Sequence, residues 1–181
     1  MKTFTFDDAN LGRVEYVDQK RYLWLCSVFF PLIPFVGMAL FLWHRSEWVL
    51  WTPLAAVYVL RALLDYLVPN DASYPPEAIV PHLEADPYDR LLNHLPVPLF
   101  FIVLICGTWF IAAQQPGWFG TLGLALTVGA IGGFGVNTGH ELGHKKDAID
   151  RIFARLVLAV PFYGHFTMEH NAGHHAQVAT P

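Results

Sequence analysis

The sequence predicts an all-α membrane protein whose single membrane-embedded domain covers residues 1–181. Hydrophobic residues make up 54% of the chain and charged residues only 14%. The apolar residues fall into long uninterrupted blocks, whereas a soluble amphipathic helix would show a stripe. A cluster of histidines follows the last block. We therefore expect four transmembrane helices followed by cytoplasmic interfacial helices that carry the histidines.

Four blocks are long enough to cross the hydrocarbon layer of a membrane, which is about 30 Å thick. They cover residues 22–43, 48–68, 95–113 and 117–139. The first block starts too late and runs too long to be a cleaved signal peptide. The fourth is rich in glycine, so its backbone can approach a neighbouring helix closely.

The second span contains two charged residues, Arg61 and Asp65. They are four residues apart, so they can pair on one helix face and neutralise each other. Asp65 lies closer to the loop, and a bond from it to a ligand histidine is the alternative. Cys26 and Cys106 fall inside predicted spans without metal or redox spacing, and we interpret them as packing residues.

The basic residues predict the orientation of the spans in the membrane. With the amino terminus inside, only Arg45 falls in the loops on the outer side. The inner side holds Lys2, Arg13, Lys20, Arg21, Arg90, Lys145, Lys146, Arg151 and Arg155. This bias places the amino terminus and the histidines in the cytoplasm. Residues 69–90 are predicted to be a cytoplasmic loop with one short helix. A net charge of −4 without a basic tract argues against a nucleic-acid partner.

Residues 147–161 predict one further helix, too short to span, that lies along the membrane interface. Apolar residues repeat every three or four positions at Ile149, Ile152, Phe153, Leu156, Val157 and Val160. Asp150, Arg151 and Arg155 are expected on the opposite, polar side. Such a helix would carry the second histidine cluster back beneath the membrane.

Two histidine clusters in residues 137–181 predict a metal centre. His140 and His144 form the first cluster, and His170, His174 and His175 form the second. On a helix, residues four apart share one face, so each cluster directs imidazoles at a common point. Neutral imidazole suits zinc, copper, iron or nickel. Five candidate ligands exceed one closed tetrahedral zinc site, which favours two metals.

Other histidines fit simpler roles. His44, His82 and His94 are isolated, and we expect them to bind nothing. His165 lies off the shared face of the second cluster, which favours a hydrogen bond near the metals over ligation.

The string from His140 to His144 is also a complete H-E-x-x-H motif, as in zinc proteases. There the glutamate acts as general base on a metal-bound water. A zinc protease needs only one further protein ligand, whereas the second cluster offers three histidines. This excess of ligands argues against a protease. For Glu141 and Glu169 we favour accepting an imidazole N–H, with pairing to Lys145 or Lys146 as the alternative. Asn137 and Thr138 either end the fourth helix or hydrogen-bond near the metals.

Several strings resemble the integral-membrane alkane 1-monooxygenase family. They are NTGHELGHKK (137–146), YGHF (163–166), EHNAGHH (169–175) and VATP (178–181). EYVDQKRYLW before the first span, LLD (63–65) and PPEAIVPHLE after the second span also resemble that family. The resemblance therefore covers nearly the whole chain.

This resemblance implies a non-haem diiron enzyme in the bacterial inner membrane, with a six-span bundle and cytoplasmic histidine boxes. The family hydroxylates the terminal methyl of medium- or long-chain n-alkanes with O₂, giving 1-alkanols. Electrons come from rubredoxin, which an NADH-dependent reductase reduces. Related enzymes that hydroxylate xylene-type methyl groups are an alternative. By the resemblance, two iron ions would be bound by His140, His144, His170, His174 and His175.

Two features depart from the family pattern. Ala172 stands where the family usually has Arg or Lys. The family's third histidine box, a further histidine and two spans lie beyond the position of Pro181, so we expect these 181 residues alone to leave the diiron site incomplete and inactive.

Overall fold

A computed structural model describes residues 1–8, 12–67 and 75–174, with the backbone alone at 171, 172 and 174. Within these residues, three helical segments are long and apolar enough to cross a membrane: Glu47–Leu67, Pro87–Gln114 and Trp118–Gly143. They correspond to the predicted second, third and fourth spans. The prediction of an all-α membrane protein is confirmed.

The predicted first span is broken. Helix α1 (Leu25–Phe29) continues into a 3-10 turn (Phe30–Leu32), and α2 (Pro34–His44) then leaves at an angle of 44°. Pro31 and Pro34 lack the backbone N–H that a continuous helix needs, and their rings crowd the preceding turn. Counted as one bent span, this pair completes the predicted four.

The remaining helices follow in chain order. A 3-10 turn (Glu47–Trp51) leads into α3 (Thr52–Leu67), and a second (Glu77–Ile79) leads into α4 (Val80–Ala85). They are followed by α5 (Pro87–His94), α6 (Pro96–Gln114), α7 (Trp118–Gly143), α8 (Ala148–Ala159) and α9 (Phe166–Met168), which runs into a π-helical turn (Glu169–His174). The region predicted as a loop with one short helix thus contains two, α4 and α5.

A β-hairpin at the amino terminus was not predicted. Strands β1 (Lys2–Asp8) and β2 (Gly12–Asp18) pair antiparallel, with Phe4 opposite Tyr16. The alternation of large apolar and polar residues in both strands is the signal that indicates it. The Lys2 ammonium contacts the Asp86 carboxylate between α4 and α5, which joins the hairpin to the helices.

Helix α7 is central to the packing and contacts α8 through glycines. A Cβ added at Gly139 would lie 2.6 Å from Cγ of Leu158, and one at Gly135 would lie 3.2 Å from Cγ2 of Val157. The two helices therefore approach more closely than larger residues would allow. The core here comprises Val97, Phe100, Ile131, Leu142, Ala154, Val157, Leu158 and Val160.

The opposite end of the bundle is held by polar contacts. The Glu47 carboxylate accepts hydrogen bonds from the backbone N–H groups of Gly117 and Gly120, both at 2.9 Å. It therefore caps the start of α7, where backbone N–H groups lack helical partners. Arg45 donates to Oε1 of Gln114 at 3.0 Å, which joins the ends of α2 and α6.

The predicted polar side of α8 is wrong in one respect. Asp150, predicted on the polar side, is 4% exposed and thus buried. Its carboxylate contacts His94 at the end of α5. In the second span the expected pairing is confirmed: Arg61 Nε lies 3.7 Å from Asp65 Oδ2.

Candidate metal centre

The end of α7 forms the first half of the site. This helix continues to Gly143, four residues beyond the predicted end of the span, so His140 is helical and His144 caps the helix. The continuation follows from sequence, because no proline interrupts it and apolar Leu142 is fully buried. The i,i+4 spacing places the His140 and His144 rings on one face, with centroids 4.6 Å apart.

A chain reversal after α8 brings the second half to the first. Phe162 adopts a left-handed backbone conformation (φ 60°), and the Tyr163 N–H donates to the Leu158 carbonyl at 2.8 Å. Such a residue commonly ends a helix and redirects the chain. Helix α9 then packs on α7 so closely that a Cβ at Gly143 would lie 2.9 Å from Cγ2 of Thr167.

Three histidines meet at this junction. One ring nitrogen from each of His140, His144 and His170 can be chosen so that all lie within 4.8 Å of one another. The His170 ring centroid lies 4.4 Å from that of His140 and 5.2 Å from that of His144. Two nitrogens bound to one metal at about 2.1 Å each lie at most about 4.2 Å apart, so nitrogens within 4.8 Å of one another are near the range that one metal ion can join. The donor set therefore fits one first-row transition metal after small rotations of the rings.

Phe166 connects the two halves and was not singled out by the sequence. Its ring stacks on His170 with centroids 5.0 Å apart and an interplanar angle of 13°. It also lies 5.9 Å from the His140 ring and 5.3 Å from the Tyr163 ring. The imidazole of His170 is thereby held against an apolar surface on one side.

Curated proteins of one name match almost the whole chain. It is 48% identical over 168 residues to alkane 1-monooxygenase 1 of Alcanivorax borkumensis, covering 92% of this chain and 41% of that protein. The corresponding figures are 45% over 169 residues for the alkane 1-monooxygenase of Pseudomonas putida, with 92% and 42% covered. They are 44% over 169 residues for that of Ectopseudomonas oleovorans, with the same coverage.

By sequence, the chain belongs to the alkane 1-monooxygenase family. No protein-family model matches it. The chain spans less than half the length of the curated relatives it matches.

Four further site residues were predicted for this family member: His174, His175, Glu141 and Glu169. His174 is described in its backbone, as the last residue of the π-helical turn, and His175 lies outside the described residues. Glu169 Oε2 lies 3.7 Å from His165 Nε2, so its imidazole neighbour is His165. Both side chains are exposed.

Glu141 lies on a groove of about 440 Å³ beside the histidine site. The apolar walls include Phe30, Pro31, Phe100 and Phe134, from the first bent span, α6 and α7. Its polar lining residues include Ser27 and Asn93, and three more, Asn137, Thr138 and Glu141, lie on the last turns of α7. The groove thus joins an apolar space between helices to the turn that carries His140.

Two further polar links hold the helices near the site. His94 Nε2 lies 2.5 Å from Asp150 Oδ1, and Arg90 Nη2 lies 2.6 Å from Asp147 Oδ2. The pKa of Asp147 is lowered, first by the hydrogen bond from the backbone N–H of Ile149 and then by Arg90. His94, which is isolated in sequence and was not predicted to be a ligand, has a partner 56 residues away in sequence.

A buried charge cluster lies where the hairpin meets α5. The Arg21 guanidinium donates to the Asp86 carboxylate at 3.0 and 3.3 Å and lies 4.1 Å from the Tyr88 ring centroid. These hydrogen bonds from Arg21, with others from Lys2 and the Tyr88 N–H, hold the pKa of Asp86 well below its usual range. Asp86 is therefore ionised at neutral pH and fixes the hairpin to the helices.

Proposed function

We propose that this protein belongs to an iron-dependent membrane enzyme that hydroxylates the terminal methyl group of medium- or long-chain n-alkanes to 1-alkanols with O₂. The observation that carries the proposal is the convergence of His140, His144 and His170 at the end of a span-length apolar helix. A metal there would stand at the boundary between lipid and water. The relatives' name, alkane 1-monooxygenase, supplies the substrate class.

His140, His144 and His170 would hold the metal through neutral imidazole nitrogens. In this proposal His174 and His175 add ligands, and two iron ions share the set. Bound iron would supply the redox chemistry that activates O₂ and breaks a strong C–H bond, which zinc cannot. The residues of this chain orient the ligands: Phe166 supports the His170 ring, and Glu141 lies on the turn of α7 that carries His140.

The groove suits the alkane. An alkane offers no polar group, so it is bound through apolar contact alone, at about 0.8 kcal/mol per buried methylene. The walls at Phe30, Phe100 and Phe134 provide such contact, and the volume of about 440 Å³ falls in the usual range for ligand sites. Three polar lining residues, Asn137, Thr138 and Glu141, lie on the turns of α7 next to His140, so a chain with one end at these turns would direct that end toward the metals.

The electron donor is proposed from the family resemblance. Rubredoxin, reduced by an NADH-dependent reductase, would approach the histidine end from the cytoplasm, with the spans in the bacterial inner membrane. The basic residues near that end, Lys145, Lys146, Arg151 and Arg155, support the cytoplasmic assignment. Glu141 and Glu169 remain candidates for orienting ligand imidazoles.

A chimeric enzyme tests this proposal. The matched segment of the Pseudomonas putida relative, which is 45% identical, is replaced by this chain. Membranes with rubredoxin, its reductase and NADH should then form 1-alkanol from an n-alkane. The change His170→Ala in the chimera should abolish product and iron binding, because ligands of one site act as a unit. The matched control His82→Ala, on α4, should retain both.

Metal content separates the alternatives. Iron at about two per chimeric chain supports the proposal. One zinc without iron, with peptide hydrolysis that Glu141→Gln abolishes, would favour a protease that uses the H-E-x-x-H string. Oxidation of a xylene methyl group in preference to an n-alkane would favour the aromatic alternative. Product formation that survives His170→Ala would refute the metal centre itself.

A further inference from the structure

The His94–Asp150 pair is an unusual contact for its surroundings. Its two atoms are 2.5 Å apart, and the side chains are 18% and 6% exposed, beside a core that includes Val97 and Ala154. The His94 ring also stacks on Phe153, with centroids 4.6 Å apart and an interplanar angle of 19°. The imidazole is thus fixed both by an acceptor and by an aromatic face.

The pair joins the end of α5 to the start of α8. His94 ends α5, directly before the membrane-spanning helix α6, while Asp150 lies in the first turn of α8. An apolar contact here would bury as much surface without the cost of desolvating a carboxylate. A hydrogen-bonded pair, in contrast, is satisfied in only one rotation of α8 about its axis.

The rotation of α8 sets the position of His170. Helix α8 packs on the glycine face of α7, where Leu158 meets Gly139. Residues 160–165 alone separate its end from α9, which carries the chain to the π-helical turn containing His170. A rotation of α8 would therefore displace His170 from His140 and His144, which α7 holds independently.

We propose that His94 is a positioning residue for the metal centre, acting through its hydrogen bond with Asp150. The bond fixes α8 on α7, and α8 in turn places His170 beside the other two histidines. This inference rests on the proposed metal centre at those three histidines. The second link, Arg90–Asp147, is 37% and 41% exposed and joins the same two helices, so it provides a matched control.

Cobalt(II) titration of the purified chain in detergent gives the first measurement. Co²⁺ reports both affinity and ligand geometry through its visible absorption. His94→Leu should weaken Co²⁺ binding about tenfold and alter the band shape, with helix content unchanged by circular dichroism. His94→Gln retains a donor near the Nε2 position and should restore affinity to within about twofold of the original. The control Arg90→Gln should also bind Co²⁺ with an affinity within about twofold of the original chain.

A distance measurement tests the positioning without any metal. Spin labels on Trp43→Cys and Arg155→Cys, with Cys26 and Cys106 changed to Ser, report α8 against the far end of the bundle. Pulsed EPR should give one narrow distribution of distances between the two labels. This distribution should broaden in His94→Leu and be narrow in His94→Gln. Both label sites are exposed, and neither belongs to the metal centre.

The outcomes are distinct. Unchanged Co²⁺ affinity and an unchanged distance in His94→Leu, or failure of His94→Gln to restore them, would overturn the inference. If His94→Leu does not fold, Asp150→Asn, which keeps the side-chain shape, should still weaken Co²⁺ binding, and equal affinity there would also overturn it. If neither the original chain nor the chimeric enzyme binds Co²⁺, the proposed metal centre fails, while the EPR distances still decide whether His94 places α8.

Discussion

At the scale of single residues, Phe166 has the most direct contact with the histidines. Its ring stacks on His170 and contacts His140. Aromatic pairs contribute about 1 kcal/mol beyond their buried area, which corresponds to about fivefold in affinity. Phe166→Leu should therefore weaken Co²⁺ binding about fivefold in the same titration. Phe162, a 90% exposed neighbour, provides the control: Phe162→Leu should leave the affinity unchanged. Equal effects of both changes would mean that the stacking does not support His170.

The lowered pKa of Asp86 predicts that the stability of the fold depends on pH. Hydrogen bonds from Arg21 lower the pKa of Asp86 in the folded protein below the value of about 3.9 expected in the unfolded chain. A depressed folded pKa contributes stability that is fully present above the unfolded pKa and is lost as the pH falls toward the folded pKa. Asp86→Asn should therefore lower the unfolding temperature at pH 7, and the gap to the original protein should narrow below about pH 4.

Thermal unfolding followed by circular dichroism in detergent, from pH 3 to pH 7, measures this gap. Glu84→Gln is the control, since this carboxylate is exposed on α4, outside the spans that cross the membrane. A gap of constant size across the whole range would show that ionised Asp86 does not stabilise the fold.

Contacts of the site between residues close in sequence were predictable, and contacts between residues far apart in sequence were not. His140 and His144 share a helix face because of their spacing alone, so their convergence is local. The meeting of His170 with them requires the reversal at Phe162, a left-handed residue that no turn motif marks. The His94–Asp150 contact requires the packing of two helices, which a single sequence does not specify.

At the scale of elements, the close contact of α7 and α8 depends on one glycine more than on others. A Cβ at Gly139 would lie 2.6 and 2.8 Å from two carbons of Leu158, which is fully buried. Gly139→Ala should thus force the helices apart and cost about 1–3 kcal/mol of unfolding free energy. Gly133→Ala, on the same helix with nothing within 4 Å, should be neutral or stabilise by up to about 1 kcal/mol.

Denaturant unfolding of both variants in mixed micelles checks this contrast. Equal stability of Gly139→Ala and Gly133→Ala would contradict the packing. A matched loss of Co²⁺ affinity in Gly139→Ala alone would show that the spacing of α7 and α8 also matters to the histidines.

The elements were predictable where one physical effect dominates. The second, third and fourth spans were predicted within a few residues at most ends, because hydrophobic length alone decides a membrane helix. The fourth span extends past its predicted end because helical hydrogen bonding continues beyond the apolar block. The hairpin was not predicted because each strand has only seven residues, a short stretch for an alternating pattern. The bend at Pro31 and Pro34 needed backbone chemistry that a hydropathy count ignores.

At the scale of the whole molecule, contacts of charged residues lie near the two ends of α6. At its beginning lie the hairpin, α5 and α8, joined through Lys2–Asp86 and Arg90–Asp147. At its end lie Arg45 with Gln114, and Glu47 at the start of α7. The histidine site is at the first end, since α7 begins beside Glu47 and ends at His140 and His144. Basic residues are therefore concentrated on the side of the histidines.

This distribution of basic residues leads to a topological prediction for the protein in a bacterial membrane. Basic residues near membrane helices are retained in the cytoplasm, so the histidine end should be cytoplasmic and Arg45 periplasmic. Reporter fusions after Arg21, after Arg90 and after Lys146 should give the cytoplasmic signal, and a fusion after Arg45 the periplasmic one. Replacing Lys145 and Lys146 by Gln, as a control for local charge, should weaken the bias without inverting it, because Arg90, Arg151 and Arg155 remain. A periplasmic signal after Lys146 would place the three histidines on the side that a cytoplasmic electron donor cannot reach, and the proposed reductant would then have to be abandoned.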